Sequence, residues 1–518
     1  KMMENKPKTA REVHFDSTFQ QYPSVPEVEP PSNPNLEAAV RLQRDVAKKH
    51  GILKERSPIE WLEAALPIVG WLRKYNFKEN IVSDITAGLT VAAVVVPQGI
   101  SYATLAGMPV EFGLYCSIVP VYAYSIFGTS RQAAVGTSAL SSLTFQSVAY
   151  PLVNPTDGPM TAELTAQYAQ LGIQLAFVIG LIYLGFGILQ LGFINSFFSK
   201  AVMSGFITGT VVVIILSQLK YILGIHIPGS NQVQVILKEI FTTLYEFNWK
   251  TFVIGCSSII LILIMEYLGH KYKKLNIIGS LGPITVCVIT IFLSWILDFE
   301  NNDVPVVGTI ISGLPPASIN QWFPFNYDIL SAAITIFIVS FIESIGTAQK
   351  FAAEHNYQVD CSQEFFALGT ANFFGSMVSI YPTVISLCRT AVNNGAGARS
   401  QIAAIITATG VIVVLLWLVF LFYYLPMCVL GAIVIAGVLY SFEFGHFFFL
   451  WKVHKLDCLT WCVSFLVTMF VSVLYGVLSA VLLSLLIIQY ESAYPHTSVM
   501  GRLPNSTVYR DVKQYSEA

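Results

Sequence analysis

The sequence predicts an all-α polytopic membrane protein of fourteen transmembrane segments, arranged as two inverted seven-segment repeats. Three observations carry that expectation. The 518 residues are 54% hydrophobic and only 12% charged, against roughly 25% charged in an ordinary soluble domain, and the mean hydropathy is +0.63. The charges gather in residues 1–80 and after Glu491, leaving an interior divided into apolar stretches of membrane-crossing length. Two short apolar segments, interrupted by polar residues, recur at matching places in the two halves. Gln98 and Glu343 lie 245 positions apart and Ser138 and Cys388 lie 250 apart, the near-equal offsets of an internal repeat. Paired broken helices in repeated halves point to the binding site of a transporter.

Residues 1–79 form a cytoplasmic N-terminal region in this reading. Residues 1–34 mix Pro, Ser, Glu and Lys without periodicity and read as a disordered lead. Asn35 to His50 has helical spacing and stops at Gly51; Ser57-Pro58-Ile59-Glu60 then starts a short helix with Trp61, Leu62 and Leu66, expected on the membrane surface. Lys48, Lys49, Lys54, Arg56, Arg73, Lys74 and Lys78 precede the first span and place this end in the cytoplasm by the positive-inside rule. No cleavable signal peptide is legible at the start. The sequence begins at Lys1 and is expected to be part of a longer chain.

The first repeat covers 80–297, a polar link 298–327, the second repeat 328–492, and 493–518 is a cytoplasmic tail. Spans are expected at 82–106, 112–128, 133–150, 168–193, 197–224, 250–272 and 278–297 in the first repeat. The second repeat has them at 328–352, 362–378, 384–394, 400–424, 426–441, 457–475 and 477–490. A full crossing takes about 20 residues. The segments at 133–150 and 384–394 are short and bounded by Gly or Pro, so both are half-spans. In the link, Pro305, Gly308, Gly313, Pro315 and Pro316 argue against a continuous helix. Seven is odd, so the second set is inverted relative to the first and both ends share the cytoplasmic side.

Two half-helices meeting at the midplane point their N-terminal N–H groups at each other across a gap. Each end carries roughly half a positive charge, so the gap suits an anion. Gly136 permits close backbone approach there, Thr137, Ser138, Ser386 and Cys388 supply small polar side chains, and Arg389 adds a full charge. Arg389 either sets an anion-selective field or serves as counter-ion to Glu343, and the two roles are compatible. Gln98 could bind an anion oxygen or satisfy backbone freed by Pro97; Tyr102, one turn on, could close the pocket wall or simply pack. Glu343 is a lone carboxylate in an apolar stretch and must be protonated, paired or cation-bound, the profile of a coupling-ion group. Lys200, Lys220, Glu266 and Lys350 lie near span ends and read as unremarkable.

Ser83-Asp84-Ile85-Thr86-Ala87-Gly88-Leu89-Thr90, Pro97-Gln98-Gly99-Ile100-Ser101-Tyr102-Ala103, Phe112-Gly113-Leu114-Tyr115 and Phe127-Gly128-Thr129-Ser130-Arg131 together resemble the SulP family of sulfate permeases and anion exchangers. Asn356-Tyr357-Gln358-Val359-Asp360, Gln363-Glu364, Ala367-Leu368-Gly369 and Arg389-Thr390-Ala391-Val392-Asn393 repeat the match, which covers about 80–505 in order. The resemblance implies a core domain that carries the substrate, a gate domain that also forms a homodimer, and elevator-like movement of the core. It implies an anion pocket of Gln98, Tyr102, Ser138, Ser386, Cys388 and Arg389. Thr137 stands where Pro is frequent and Leu387-Cys388 where Phe-Ser is usual; the pairs Ser386-Leu387 and Gly136-Thr137 are similar to animal exchangers. Glu343 instead resembles the cation-coupled permeases. The residues from Gly501 resemble the lead-in to a cytoplasmic STAS domain.

The expected function is therefore proton-coupled symport of sulfate or a similar oxyanion, with sodium an alternative coupling ion. An electroneutral exchanger of sulfate, bicarbonate, chloride or oxalate is the competing reading, followed by an anion sensor or motor and by a channel. The sequence offers no nucleophile–base set, nucleotide motif or metal-ligand spacing, so no enzyme activity, cofactor, metal or nucleic-acid partner is expected. His454, Cys458 and Cys462 lie at i, i+4 and i+8 and read as helix packing rather than a metal site. Asn505-Ser506-Thr507 matches a glycosylation sequon but falls on the expected cytoplasmic side. The plasma membrane is the expected location.

Overall fold

The computed structural model describes residues 62–63, 66–154, 161–225, 232–272, 279, 281–324, 326–439, 442, 444–494, 500–502 and 509–511. The expected N-terminal lead, the helices at Asn35 and Ser57, and the Asn505 sequon lie outside the described residues. A short helix, α1 (Pro67–Arg73), comes first, with Pro at its start. The first half continues with α2 (Phe77–Ala106), α3 (Val110–Tyr115), α4 (Val119–Phe127), β1 (Val135–Gly136), α5 (Ala139–Val153), α6 (Ala162–Ile188), α7 (Lys200–Leu223), α8 (Val233–Thr242), α9 (Trp249–Lys271) and α10 (Gly282–Leu297). The second half holds α11 (Tyr327–Glu354), α12 (Cys361–Ser376), β2 (Val384–Ile385), α13 (Leu387–Gly395), α14 (Ile402–Val413), α15 (Met427–Leu439), α16 (Phe444–Val453), α17 (Lys455–Phe470) and α18 (Val473–Ala493). A small antiparallel ladder, β3 (Met500–Arg502) with β4 (Tyr509–Asp511), follows.

Each of the fourteen expected apolar stretches contains a helix. Besides α1, two helices were not expected. Helix α8 is amphipathic, burying Val233, Ile236 and Ile240 while turning Gln234, Lys238 and Phe241 outward, which is too polar a pattern to read as a span. Helix α16 is a short aromatic-rich piece in front of α17. The half-spans also start later than expected, at residues 139 and 387 rather than 133 and 384. The residues before them are extended and pair with each other, Val135 with Ile385 and Gly136 with Val384. Backbone that is not helical at mid-membrane must find partners within the protein, and this ladder supplies them.

The helices pack into two groups. One comprises α2–α6 with α11–α14; the other comprises α7, α9, α10, α15, α17 and α18. The packing repeats when the halves are exchanged. Helix α2 packs on α14 as α11 packs on α6; α6 packs on α12 as α14 packs on α4; α7 packs on α17 as α15 packs on α9. Such symmetry, centred on the β1–β2 ladder, is what two inverted repeats produce. The α6–α12 seam is tight because Gly369 presents no side chain: a Cβ there would lie 2.6 Å from the Leu184 amide nitrogen.

Buried polar bonds tie the loops of the first group to its helices. The Asp84 carboxylate accepts from Tyr75 Oη at 2.7 Å, the Arg399 amide at 2.6 Å, and the Ser400 amide and hydroxyl at 3.2 and 2.7 Å. The Glu364 carboxylate accepts from Tyr124 Oη at 2.6 Å, the Thr129 amide and hydroxyl at 2.8 and 2.5 Å, and the Ser130 amide at 3.1 Å. Gln401 donates to the Ser130 and Ala133 carbonyls, and Asn393 to that of Gln132. These bonds fix the chain that runs into β1.

Candidate functional site

The strand pair delivers two helix N-termini to one place. Ser138 is extended and caps α5, its Oγ accepting from the Ser141 amide at 3.1 Å. Ser386 holds the equivalent position ahead of α13, and its amide donates to the Ala134 carbonyl at 3.1 Å. From the outside, Ser344 of α11 accepts from the Ile385 amide, and Asn372 of α12 accepts from the Thr383 amide. The crossing is thus held on every side by side chains of neighbouring helices.

Arg389 lies on the first turn of α13 and is 0% exposed. Its Nη2 donates to Thr137 Oγ1 at 2.6 Å and its Nη1 to Ser117 Oγ at 3.2 Å, while Nε has no partner. The guanidinium carbon stands 5.5 Å from the centre of the Tyr102 ring. Gly136 makes this approach possible: its φ is +148°, and a Cβ there would collide with Arg389 Nη1. Among the described residues Arg389 makes no ion pair with Glu343, whose Oε2 instead accepts from Ser138 Oγ at 2.8 Å.

A cavity of about 760 Å³ opens beside the crossing, between the two helix groups. Tyr102, Ser138, Glu343, Ser386 and Cys388 line it, so five of the seven expected site residues share one wall. Gln98 and Arg389 stand behind that wall, buried, with Gln98 Oε1 also unpartnered. Gly437 of α15 marks where they converge: a Cβ there would lie 3.6 Å from Tyr102 Oη, 3.8 Å from Gln98 Nε2 and 3.9 Å from Cys388 Sγ. The Gly437 carbonyl accepts from Cys388 Sγ at 2.7 Å. Helix α7 forms the opposite wall with Met203, Ile207 and Val211.

Four groups escaped the sequence reading. Ser117 was missed because it sits at a break between α3 and α4 that nothing in the local pattern announces. Lys200 and Lys350, read as unremarkable span ends, line the cavity together with His446; span-end position alone does not say which way a cation faces. His454 caps α17, accepting from the Asp457 amide, and contacts Glu491 at 3.1 Å, while Cys458 packs with Trp461 and Leu450. Among the described residues no cluster of His, Cys, Asp and Glu is arranged to hold a metal ion.

Residues 81–464 match the model of the sulfate permease family. The chain belongs to that family. It is similar to probable sulfate transporter 4.2 of Arabidopsis thaliana, at 38% identity over 90% of this chain and 67% of the relative. Sulfate transporter 4.1, chloroplastic, of the same plant is 37% identical over the same shares. The structure resembles that of the murine Slc26a9 anion transporter in an inward-facing state, with a TM-score of 0.77 and 27% identity, covering 92% of this chain and 79% of that one. As a sulfate permease family member this is an integral, multi-pass membrane protein that transports inorganic anions, not an enzyme.

Proposed function

We propose that the protein is a secondary active transporter of sulfate or a similar oxyanion, coupled to protons through Glu343. The observation that carries the reading is Arg389. A fully buried guanidinium with no carboxylate partner and an unpartnered Nε–H is costly, and beside two helix N-termini it favours an anion. Gln98, Tyr102, Ser138, Ser386 and Cys388 supply the surrounding polar groups, and a tetrahedral oxyanion can accept from several donors at once. The names of the plant relatives support sulfate.

Glu343, buried in an apolar helix yet bordering the cavity, is suited to carry the coupling proton. Transport then requires the first helix group, with the anion, to move against the second, the elevator-like motion expected of a core and a gate. Three connections cross between the groups, and each contains irregular or tightly wound chain. They are the 3₁₀ turn Leu191–Phe197, the link after α10, and the π and 3₁₀ turns over 414–424. Both termini in the cytoplasm, a homodimer and a plasma-membrane location complete the proposal.

Radiolabelled sulfate uptake into proteoliposomes, with and without an inward proton gradient, tests it on the parent and Glu343→Gln. Uptake that the gradient accelerates, with the acceleration lost in the variant, is the expected result. Uptake that ignores the gradient but requires an internal counter-anion makes the protein an exchanger instead.

A further inference from the structure

The Ser138 hydroxyl lies on the cavity wall and is hydrogen-bonded to Glu343. It has one hydrogen and two lone pairs, and both its contacts are set: it accepts from the Ser141 amide at 3.1 Å and donates to Glu343 Oε2 at 2.8 Å. Its only hydrogen is spent on Glu343, so toward the cavity it offers lone pairs alone, which repel an anion.

We propose that Ser138 is a positioning residue that transmits the protonation state of Glu343 to the anion pocket by reversing the direction of one hydrogen bond. With Glu343 ionised, Ser138 O–H points at the carboxylate. With Glu343 protonated, the carboxylic acid O–H donates to Ser138 Oγ, the Ser141 amide keeps its place on the other lone pair, and the Ser138 hydrogen turns to the anion. One proton enters, at Glu343; no covalent bond beyond that O–H forms or breaks. Arg389 is held by Ser117 and Thr137 and makes no ion pair with Glu343 among the described residues, so Ser138 is the hydrogen-bonded link from the carboxylate to the pocket wall. The inference rests on the proton-coupled reading above.

The other titratable or charged groups around Glu343 are Tyr102 of α2, Tyr183 of α6, and Cys388 and Arg389 of α13. Lys200, Lys350 and His446 also line the cavity, and α18, which packs on α11, contributes nothing to that lining among the described residues. None of these replaces the contact between Ser138 and the carboxylate.

The experiment is sulfate affinity, read as KM for radiolabelled sulfate in proteoliposomes, at acidic and alkaline pH for parent, Ser138→Ala, Ser138→Thr, Glu343→Gln and the double variant Ser138→Ala/Glu343→Gln. A charge-assisted hydrogen bond gained by the anion corresponds to about ten- to hundred-fold tighter binding on acidification in the parent. Ser138→Ala shrinks that ratio below about threefold and Ser138→Thr restores it. In Glu343→Gln the amide N–H₂ donates to Ser138 Oγ, so affinity stays high at every pH, and adding Ser138→Ala removes it. Loss of the helix cap alone is controlled by Ser472→Ala, which uncaps α18 away from the cavity and leaves the pH dependence unchanged. A parent-like pH dependence in Ser138→Ala overturns the relay while leaving proton coupling intact; a parent with no pH dependence overturns both.

Discussion

Among the described residues three carboxylates are buried, and two of them differ from the third. Asp84 and Glu364 are each 0% exposed and each accept four hydrogen bonds from backbone amides and hydroxyls of loops they hold in place. Glu343, 8% exposed, accepts one, from Ser138, and faces the cavity. A carboxylate surrounded by four fixed donors has its acceptor positions committed to holding the chain. A carboxylate with one donor keeps acceptor positions open beside the cavity. Arg389 belongs with Glu343 in this comparison: two neutral oxygens and a ring face cannot replace a counter-charge. Incomplete satisfaction, rather than burial, separates Glu343 and Arg389, the groups proposed to act in transport, from the two carboxylates bonded on four sides.

The comparison breaks if the two kinds of site respond alike to loss of charge. Arg389→Gln should have the largest effect. Removing the buried cation takes away the anion's main partner, worth about 2–5 kcal/mol, so sulfate binding should weaken by about two orders of magnitude or more while the protein remains folded. Near-normal sulfate affinity in that variant, measured by equilibrium binding, removes the site assignment. Asp84→Asn should do the reverse. An amide N–H₂ placed among four donors leaves at least one of them unsatisfied, costing about 1–3 kcal/mol of stability. The melting temperature of detergent-solubilised protein should fall, with an unchanged sulfate KM in the folded fraction; a changed KM with an unchanged melting temperature makes Asp84 a functional group after all.

Much of this was legible in the chain because membrane physics leaves few choices. Polar residues in apolar stretches are rare, so Gln98, Glu343 and Arg389 stood out singly, and Gly and Pro marked the two interrupted segments. What sequence could not supply was pairing across distance. The β1–β2 ladder joins residues about 250 positions apart, and the Ser117 and Thr137 bonds to Arg389 depend on how three segments converge. Thr137 was visible as a departure from the commoner Pro, and its hydroxyl turns out to be the shorter of the two tethers. The direct partners of Glu343 and Arg389 were hidden for the same reason: both lie near the crossing, and Ser138 reaches Glu343 while the two hydroxyls reach Arg389.

Two further substitutions sharpen the comparison at smaller scale. Gly136→Ala puts a methyl group where Arg389 Nη1 lies and asks a non-glycine residue to hold φ +148°, a strain of about 1–3 kcal/mol. The guanidinium must move, so sulfate KM should rise by about tenfold or more; an unaltered KM means that the exact placement of Arg389 is unimportant.

Cys388→Ser should have the smallest effect. Its thiol donates to the Gly437 carbonyl on the cavity wall, and a hydroxyl donates to the same acceptor more strongly but over a shorter reach. The gain in bond strength and the loss in fit oppose each other, so sulfate KM should stay within about threefold of the parent, a difference under about 1 kcal/mol. The same residue tests exposure of the wall. A small, membrane-impermeant thiol reagent applied from the side on which the cavity opens should block uptake by the parent and leave Cys388→Ser active. The parent has seven other cysteines, and the serine variant keeps them all, so protection by this one change assigns the block to Cys388. Equal inhibition of both proteins places the reactive thiol elsewhere and removes Cys388 from the accessible pathway.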